Sequence, residues 1–158
     1  MKIAALCLIA MAIIALGYGL KAGIARRVRA IETLRSALTL LQGRMVIMHR
    51  PMREALASLS GQNPILDAVN EVWLEDDPVP AWLSVMDARD FLDEQRLVIS
   101  QLISSLTQAH TGLDECFLAA DQALALQLNA AKEKLTKDGV LYARLGWIAA
   151  ALVIILGL

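Results

Sequence analysis

Two uncharged apolar runs, one at each end, constrain the fold of this chain more than any other feature. Residues 3–20 form a run of 18 and residues 145–158 a run of 14, whereas all 16 acidic residues and 14 of the 15 basic ones lie between Lys21 and Arg144. A helix rises about 1.5 Å per residue, so the first run spans about 27 Å, close to the thickness of the bilayer hydrocarbon core. The first run is therefore predicted to be a transmembrane helix.

The second run reaches a similar length if it is extended backwards. Residues 140–158 span about 28 Å provided that Arg144 extends its guanidinium to the membrane interface. Lys21 and Arg26 follow the first run, and Lys137 precedes the second, so the positive-inside rule places the region between them in the cytosol. We expect membrane helices at 3–20 and 140–158 and a cytosolic domain at 21–139. A cleaved signal peptide is the alternative for the first run, disfavoured by the basic residues that follow it.

Small residues recur four apart within both runs. Ala15 and Gly19 have this spacing in the first, which Gly23 continues just after its end, and Gly146 and Ala150 have it in the second. Such spacing allows helix backbones to approach closely in lipid. It predicts packing of the two anchors, within one chain or between chains. The alternative is that small residues are simply common in membrane helices.

The region between the runs has helical periodicity throughout. Its first part carries a heptad-like seam of apolar residues, so one helix should leave the membrane and continue to about Met48, where Pro51 ends it. Further helices are expected at 52–59, at 65–74, closed by residues 75–80, at 87–110, and from Leu113 into the second run. In the turn between the last two, Gly112 is expected to take the left-handed conformation and Asp114 to cap the following helix. The prediction is an all-α protein, a cytosolic helical bundle built on two long helices continuous with the terminal anchors. The seam consists of Ile31, Leu34, Leu38, Leu41, Met45 and Met48.

Charge is unevenly distributed along the bundle. Residues 21–53 hold eight basic residues and one acidic residue, a balance of +7, whereas residues 54–121 hold 13 acidic and two basic, a balance of −11. The basic part lies next to the membrane, which favours contact with anionic lipid headgroups over nucleic-acid binding. The acidic part would suit a basic partner or form a solvated face.

Residues that could carry chemistry are few. His49 and His110 both stand where a helix should end, where a cation is favoured by the helix dipole, and neither has a neighbouring nucleophile or carboxylate. Cys7 and Cys116 lack the spacing of a zinc site, and residues 75–77 lack the spaced oxygen ligands of a calcium loop. We therefore expect no enzyme activity, no cofactor and no metal, and we interpret the chain as a membrane-anchored interaction module.

The basic first helix carries Leu34, Arg35, Ala37, Leu38 and Leu41, and the turn after it carries His49, Pro51, Glu54 and Ala55. At these positions the chain resembles the stage III sporulation protein AB family. The end of the chain, residues 142–146 followed by an apolar tail, is similar to that family's closing segment. Gln42 and Arg44 stand where the family often has acidic residues.

This resemblance implies a part in endospore formation, within a channel that links mother cell and forespore. It also implies a domain similar to the cytoplasmic domain of type II secretion and type IV pilus platform proteins, which contact a cytosolic ATPase and ring components. The chain would be a non-enzymatic adaptor in the cell membrane, with its helical domain in the mother-cell cytoplasm and a homo-oligomer among its assemblies. Arg35, His49, Pro51 and Glu54 would form an interaction or structural motif. Two alternatives stay open: a platform of a secretion or pilus system, and a membrane-bound signalling module.

Overall fold

The computed structural model describes residues 2–73, 77–89, 91–108 and 112–157, and within them the chain is helical without any strand. The prediction of an all-α chain is confirmed. In chain order the elements are α1 (Lys2–Gln42), a π-helical turn (Gly43–Ile47), α2 (Met52–Ser58), α3 (Pro64–Val72), α4 (Pro78–Ala88), α5 (Asp93–Gln108) and α6 (Leu113–Gly157).

The chain divides into two compact units. The terminal unit comprises Met1–Arg29 and Asn129–Leu158, and the central unit comprises Ala30–Leu128. Both long helices, α1 and α6, contribute residues to both units. The predicted boundaries after residues 20 and 139 concern the membrane rather than contacts between residues, and they stay predictions.

One helical stretch of the described chain is long and apolar enough to cross a membrane. This stretch is Leu8–Ile47, near the N-terminus. Its most apolar 18-residue window has a mean hydropathy of 1.9, and 11% of that window is buried. Leu8, Met11 and Leu16 are all more than two-thirds exposed, which is the arrangement that contact with lipid requires. The second predicted span, over residues 140–158, includes a residue outside the described ranges and stays a prediction.

The core of the central unit follows the predicted apolar seam. Leu34 and Leu41 of α1 are fully buried, and so is Leu124 of α6. Met48, the last predicted member of the seam, is 52% exposed, because the helix changes to π geometry at Gly43 and ends at Ile47. The predicted end of the first helix before Pro51 is confirmed. The seam itself ends one turn earlier than predicted, at Met45.

Helix α4 is a correction to the sequence prediction. Residues 75–80 were expected to separate two helices, with the next starting at Asp87, but α4 begins at Pro78 and α5 begins at Asp93. Asp77 caps α4, since its Oδ1 accepts the backbone N–H of Val79 at 3.0 Å, and proline suits the first position of a helix because its missing N–H would have no intrahelical partner there. The predicted end of α5 at His110 lies outside the described residues.

The turn before α6 has the predicted glycine geometry. Gly112 has φ of 79°, in the left-handed region that glycine adopts without a steric penalty. Asp114 was expected to cap the following helix, but it lies within the first turn of α6. Its Oδ1 accepts a hydrogen bond from Nε2 of Gln42. An ionised acidic residue at position 42 could not donate this bond.

Candidate functional site

The turn between the π-helical segment and α2, residues 48–51, contains a strained backbone conformation. The N–H of Arg50 donates to the carbonyl oxygen of Arg44 at 3.2 Å, which closes the end of the π-helical turn. His49 lies between these two residues in the chain and has a φ of 51°. Among the described residues it is the one non-glycine residue with a positive φ. A left-handed conformation costs an L-residue about 1 kcal/mol, so the surrounding contacts must hold this turn in place.

Pro51 begins the next helix from the other side of the turn. Its φ of −61° and ψ of 151° are extended, and its carbonyl oxygen accepts the N–H of Ala55 at 2.9 Å as the first bond of α2. Four residues, 48–51, therefore connect the π-helical turn to α2. His49, Arg50 and Pro51 are exposed at the tip.

A cleft of about 520 Å³ opens beside this turn, within the size range of pockets that bind ligands. We call it the turn cleft. The side chains of Met45 and Met52 are less than a tenth exposed, so the inner wall is apolar, while the tip of the turn forms the rim. The lining residues are Met45, His49, Arg50, Pro51, Met52, Trp73, Pro78, Leu106, Thr107 and Leu113.

Arg53 extends the basic rim of the turn cleft. Its guanidinium carbon lies 5.8 Å from the centroid of the Trp73 ring, a distance at which a cation is attracted to the face of an indole. Arg50 and Arg53 are exposed, and among the described residues neither has an ion pair with a carboxylate. Two guanidinium groups therefore stand at the rim with their charge open to solvent.

A bidentate ion pair joins the two long helices within the central unit. Nε of Arg35 donates to Oδ1 of Asp121 at 2.7 Å, and Nη2 donates to Oδ2 at 2.8 Å. The hydrogen bonds from Arg35 lower the pKa of Asp121 below its usual value, against the opposing effect of desolvation, and the same bonds raise the pKa of Arg35. The pair fixes the register of α1 against α6, because both oxygens and both nitrogens must face each other.

Two buried amides connect other helices of the central unit. Asn63 accepts the N–H of Ile65 at 2.9 Å through Oδ1 and donates through Nδ2 to the carbonyl oxygen of Thr33 at 3.1 Å, so it caps α3 and attaches it to α1. Gln95 accepts the N–H of Leu92 and donates to Oε1 of Gln127 at 3.0 Å. In both residues the amide oxygen and the amide nitrogen each have a hydrogen-bond partner, as buried polar groups require.

Small residues bring the two helices of the terminal unit close together. A Cβ built on Gly17 would lie 2.8 Å from the carbonyl oxygen of Tyr142, and a Cβ built on Gly146 would lie 3.5 Å from that of Ile13. Gly146 and Ala150, which were predicted to pack, are buried, and Gly17 is their counterpart on α1. Ala15 is exposed, and built Cβ atoms on Gly19 and Gly23 meet nothing within 4 Å. Packing of Ala15, Gly19 and Gly23 against a second chain stays a prediction.

The described side chains offer little to hold an ion. No group of three or more His, Cys, Asp or Glu residues in this part of the chain is arranged to bind a metal. Cys116 is a half-buried free thiol, and His110, Glu75 and Asp76 lie outside the described residues. The arrangement therefore offers a cleft, a basic rim and an exposed turn, which are features of a contact surface.

The family model for stage III sporulation protein AB matches residues 2–157. The chain belongs to this family. No curated protein and no solved structure matches it. Membership implies a role in stage III of sporulation.

The family motif divides between two places in the central unit. His49 and Pro51 line the turn cleft, and Glu54 is exposed on α2 directly after it. Arg35 lies elsewhere, bonded to Asp121. The predicted motif is thus not one cluster, although the chain order placed its members within about 20 residues.

Sequence reasoning missed three participants: Asp121, Trp73 and Gly17. Asp121 adjoins the apolar stripe of α6, next to buried Ala120, and a carboxylate beside such a stripe is a signal that a cation faces it. Trp73 ends α3, and nothing in its spacing relates it to a turn more than 20 residues earlier. Gly17 lies within the first apolar run but outside the four-residue spacing that was used to select Gly19 and Gly23.

Proposed function

We propose that this protein is a non-enzymatic, membrane-anchored platform in the channel complex between mother cell and forespore. Its terminal unit would lie in the membrane with both helices spanning, and its central unit would lie in the mother-cell cytoplasm. Other components of the channel would dock on the central unit, among them a cytosolic ATPase. The family match over residues 2–157 is the observation that carries this proposal.

The membrane part of the proposal is supported by the first helix. Its apolar window is 11% buried, so the protein itself covers little of this surface and lipid is the solvent that suits it. The basic residues at 21–53 fit anionic headgroups on the cytosolic side. Cytoplasmic placement of the central unit then follows from the positive-inside rule.

The platform role is supported by the kind of features that the central unit displays. It presents an exposed turn held in a strained conformation, beside a cleft with an apolar inner wall and a basic rim, and an acidic segment at 54–121 that suits a basic partner. A strained backbone conformation persists where the surrounding contacts hold it, and such residues cluster at sites that contact other molecules. An adaptor needs surfaces of this kind and no reacting groups.

In-cell cross-linking during sporulation tests the partner claim. A photoreactive amino acid at Met48, which is 52% exposed, should give cross-links to channel components, and one at Leu126, which is 72% exposed on α6, serves as the matched control. A deletion strain should stop at stage III. Normal spores from the deletion strain, or cross-links to pilins instead of sporulation proteins, would overturn the proposal in favour of no channel role or of a secretion platform.

Thiol labelling tests the topology. In a variant with Cys7→Ser, Cys116→Ser and Ser60→Cys, the new thiol lies on an exposed turn of the central unit. A membrane-impermeant maleimide should label it only after the cells are opened. Labelling in intact cells would show that the central unit faces outside, and the cytoplasmic platform would then be wrong.

A further inference from the structure

The turn cleft combines two properties that rarely coincide on a surface without a partner. Its wall is apolar, with Met45, Met52 and Leu106 each less than a tenth exposed. Its rim carries two guanidinium groups, those of Arg50 and Arg53, without a carboxylate partner among the described residues. The first property selects an apolar group, and the second selects an anion beside it.

The wall is also adaptable. Met45 and Met52 line it, and Met48 is exposed on the turn that adjoins it. Methionine has three rotatable bonds and a polarisable sulfur, so methionine surfaces fit apolar side chains of different shape. Ile47, 77% exposed, precedes Met48 in the chain. Exposed apolar side chains therefore stand directly before the turn residues that line the cleft, which favours the docking of a chain segment over the binding of a single small molecule.

The two arginines at the rim are held to different degrees. The guanidinium of Arg53 lies over the Trp73 ring, whereas for Arg50 the backbone bond to Arg44 holds the turn and not the side chain. A guanidinium binds a carboxylate through two parallel hydrogen bonds. The two charges thus favour a carboxylate on the side of the cleft that the turn forms.

We propose that the turn cleft is a docking site for an acidic segment of a partner protein, in which a large apolar side chain stands within a few residues of Asp or Glu. The apolar side chain fills the cleft between Met45, Met52 and Leu106. The carboxylate binds Arg50, with Arg53 beside it. This inference rests on the proposed platform function and specifies the surface and the partner chemistry.

Peptide selection tests this chemistry without knowledge of the partner. The full chain, reconstituted in nanodiscs of neutral lipid, is used to select from a phage-displayed library of random 12-residue peptides. We expect the retained peptides to share Asp or Glu close to Leu, Ile, Met, Phe or Trp. Their affinity should fall about tenfold or more in Arg50→Glu, the typical effect of losing a charge-assisted hydrogen bond and adding a repulsive charge.

Matched variants separate the rim from general charge and from folding. Arg89→Glu makes the same change of net charge at an exposed arginine of the central unit, outside the cleft lining, and it should change affinity by less than about twofold. It also removes the hydrogen bond from Nη2 of Arg89 to the carbonyl oxygen of Pro64, so its stability is measured beside its affinity. Arg50→Lys keeps the positive charge but cannot form two parallel hydrogen bonds, so its affinity should lie between those of wild type and Arg50→Glu. Each variant is compared by circular dichroism, so a folding defect is seen directly.

The outcomes are decisive in both directions. Failure to retain any peptide, retention of peptides without carboxylates, or equal affinity for Arg50→Glu would overturn the docking site. In cells, an Arg50→Glu, Arg53→Glu strain that sporulates normally beside a deletion strain blocked at stage III would leave the platform function standing and remove this surface from it. Normal sporulation of the deletion strain would instead remove the platform function itself.

Discussion

The two units share the same pair of long helices, to which the central unit adds α2–α5, and their interiors differ in kind. In the central unit the interior consists of large side chains, including Trp82, Phe117 and Leu34, all fully buried. In the terminal unit the buried positions include Ala10, Gly17, Gly146 and Ala150. Among the side chains that the structure describes, all of the largest fully buried ones belong to the central unit. One unit packs side chains against side chains, and the other packs backbone against backbone.

This difference follows from the solvent that each unit suits. In water, burying a large apolar side chain stabilises the fold by about 1.5–3 kcal/mol, so a bundle gains from filling its interior with such residues. In lipid, leucine on the outside is already in an apolar medium, and helices associate through close van der Waals contact at small residues. The interiors therefore support the proposed placement of the terminal unit in the membrane.

The largest effect on stability is expected from removing a large buried side chain from the core of the central unit. Trp82→Ala is expected to lower the free energy of unfolding by about 3–5 kcal/mol, because it removes a fully buried ring. Urea unfolding of the full chain in detergent, followed by circular dichroism, measures this loss. Hydrogen exchange over residues 8–20 should not change, since the terminal unit has its own contacts.

Trp82→Phe is the matched control. The indole Nε1 of Trp82 is buried without a hydrogen-bond partner among the described residues, so the aromatic replacement removes an unsatisfied donor and should cost less than about 2 kcal/mol. A Phe variant as unstable as the Ala variant would show that the ring volume is not what the central core depends on.

The second effect concerns the terminal unit. In Gly17→Ala the new methyl group would stand 2.8 Å from the carbonyl oxygen of Tyr142, so the helices must separate, at a cost of about 1–3 kcal/mol. Hydrogen exchange by mass spectrometry should show faster exchange over residues 8–20 and 139–150. Gly19→Ala, with open space around the new group, should leave exchange unchanged. Similar behaviour of the two variants would contradict backbone-to-backbone packing in this unit.

The third effect tests the ion pair of the central unit. Asp121→Asn should destabilise the chain by about 0.5–1 kcal/mol at neutral pH, since the pair is about a third exposed and partly screened. Because the pKa of Asp121 is lowered in the folded state, its contribution is present above the usual aspartate pKa and is lost as pH falls through the folded value. The stability difference between wild type and Asp121→Asn should therefore be constant above about pH 5 and shrink in more acidic solution.

A double-mutant cycle isolates the pair. Arg35→Lys keeps the charge but cannot form two parallel bonds, so it should lose part of the interaction energy with Asp121. If the stability difference between wild type and Asp121→Asn stays unchanged at acid pH, the effect of that substitution comes from packing rather than charge.

The smallest effect concerns the strained turn. His49→Gly should raise the stability of the central unit by about 0.5–1 kcal/mol, because glycine adopts φ of 51° without a steric cost. His49→Val should lower stability, since a branched side chain tolerates this region poorly. Thermal unfolding of the two variants beside wild type measures both shifts. If glycine destabilised the chain, the imidazole itself would be holding the turn.

Much of the fold could be predicted from the sequence because it depends on local patterns. The apolar runs at the ends, the seam from Ile31 to Met45 and the breaks at Pro51 and Gly112 each reflect a periodicity or a backbone preference that neighbouring residues determine. Helix α4 was missed because prolines interrupt a helix in its interior but begin one at its first turn. The structure shows that here the prolines begin a helix, because Asp77 caps it and Trp82 is buried in the core.

The sequence by itself determined the helical class, the two apolar ends, the division of charge and the family. Only the tertiary structure decided that Arg35 binds Asp121, 86 positions away, that Gly17 rather than Gly19 faces the second helix, and that Trp73 meets Arg53 beside the turn. Periodicity assigns a residue to a face of its own helix, but the partner of that face depends on the rotation and register of another helix. Those are fixed by the packing of the whole chain, and the turn cleft is a product of that packing.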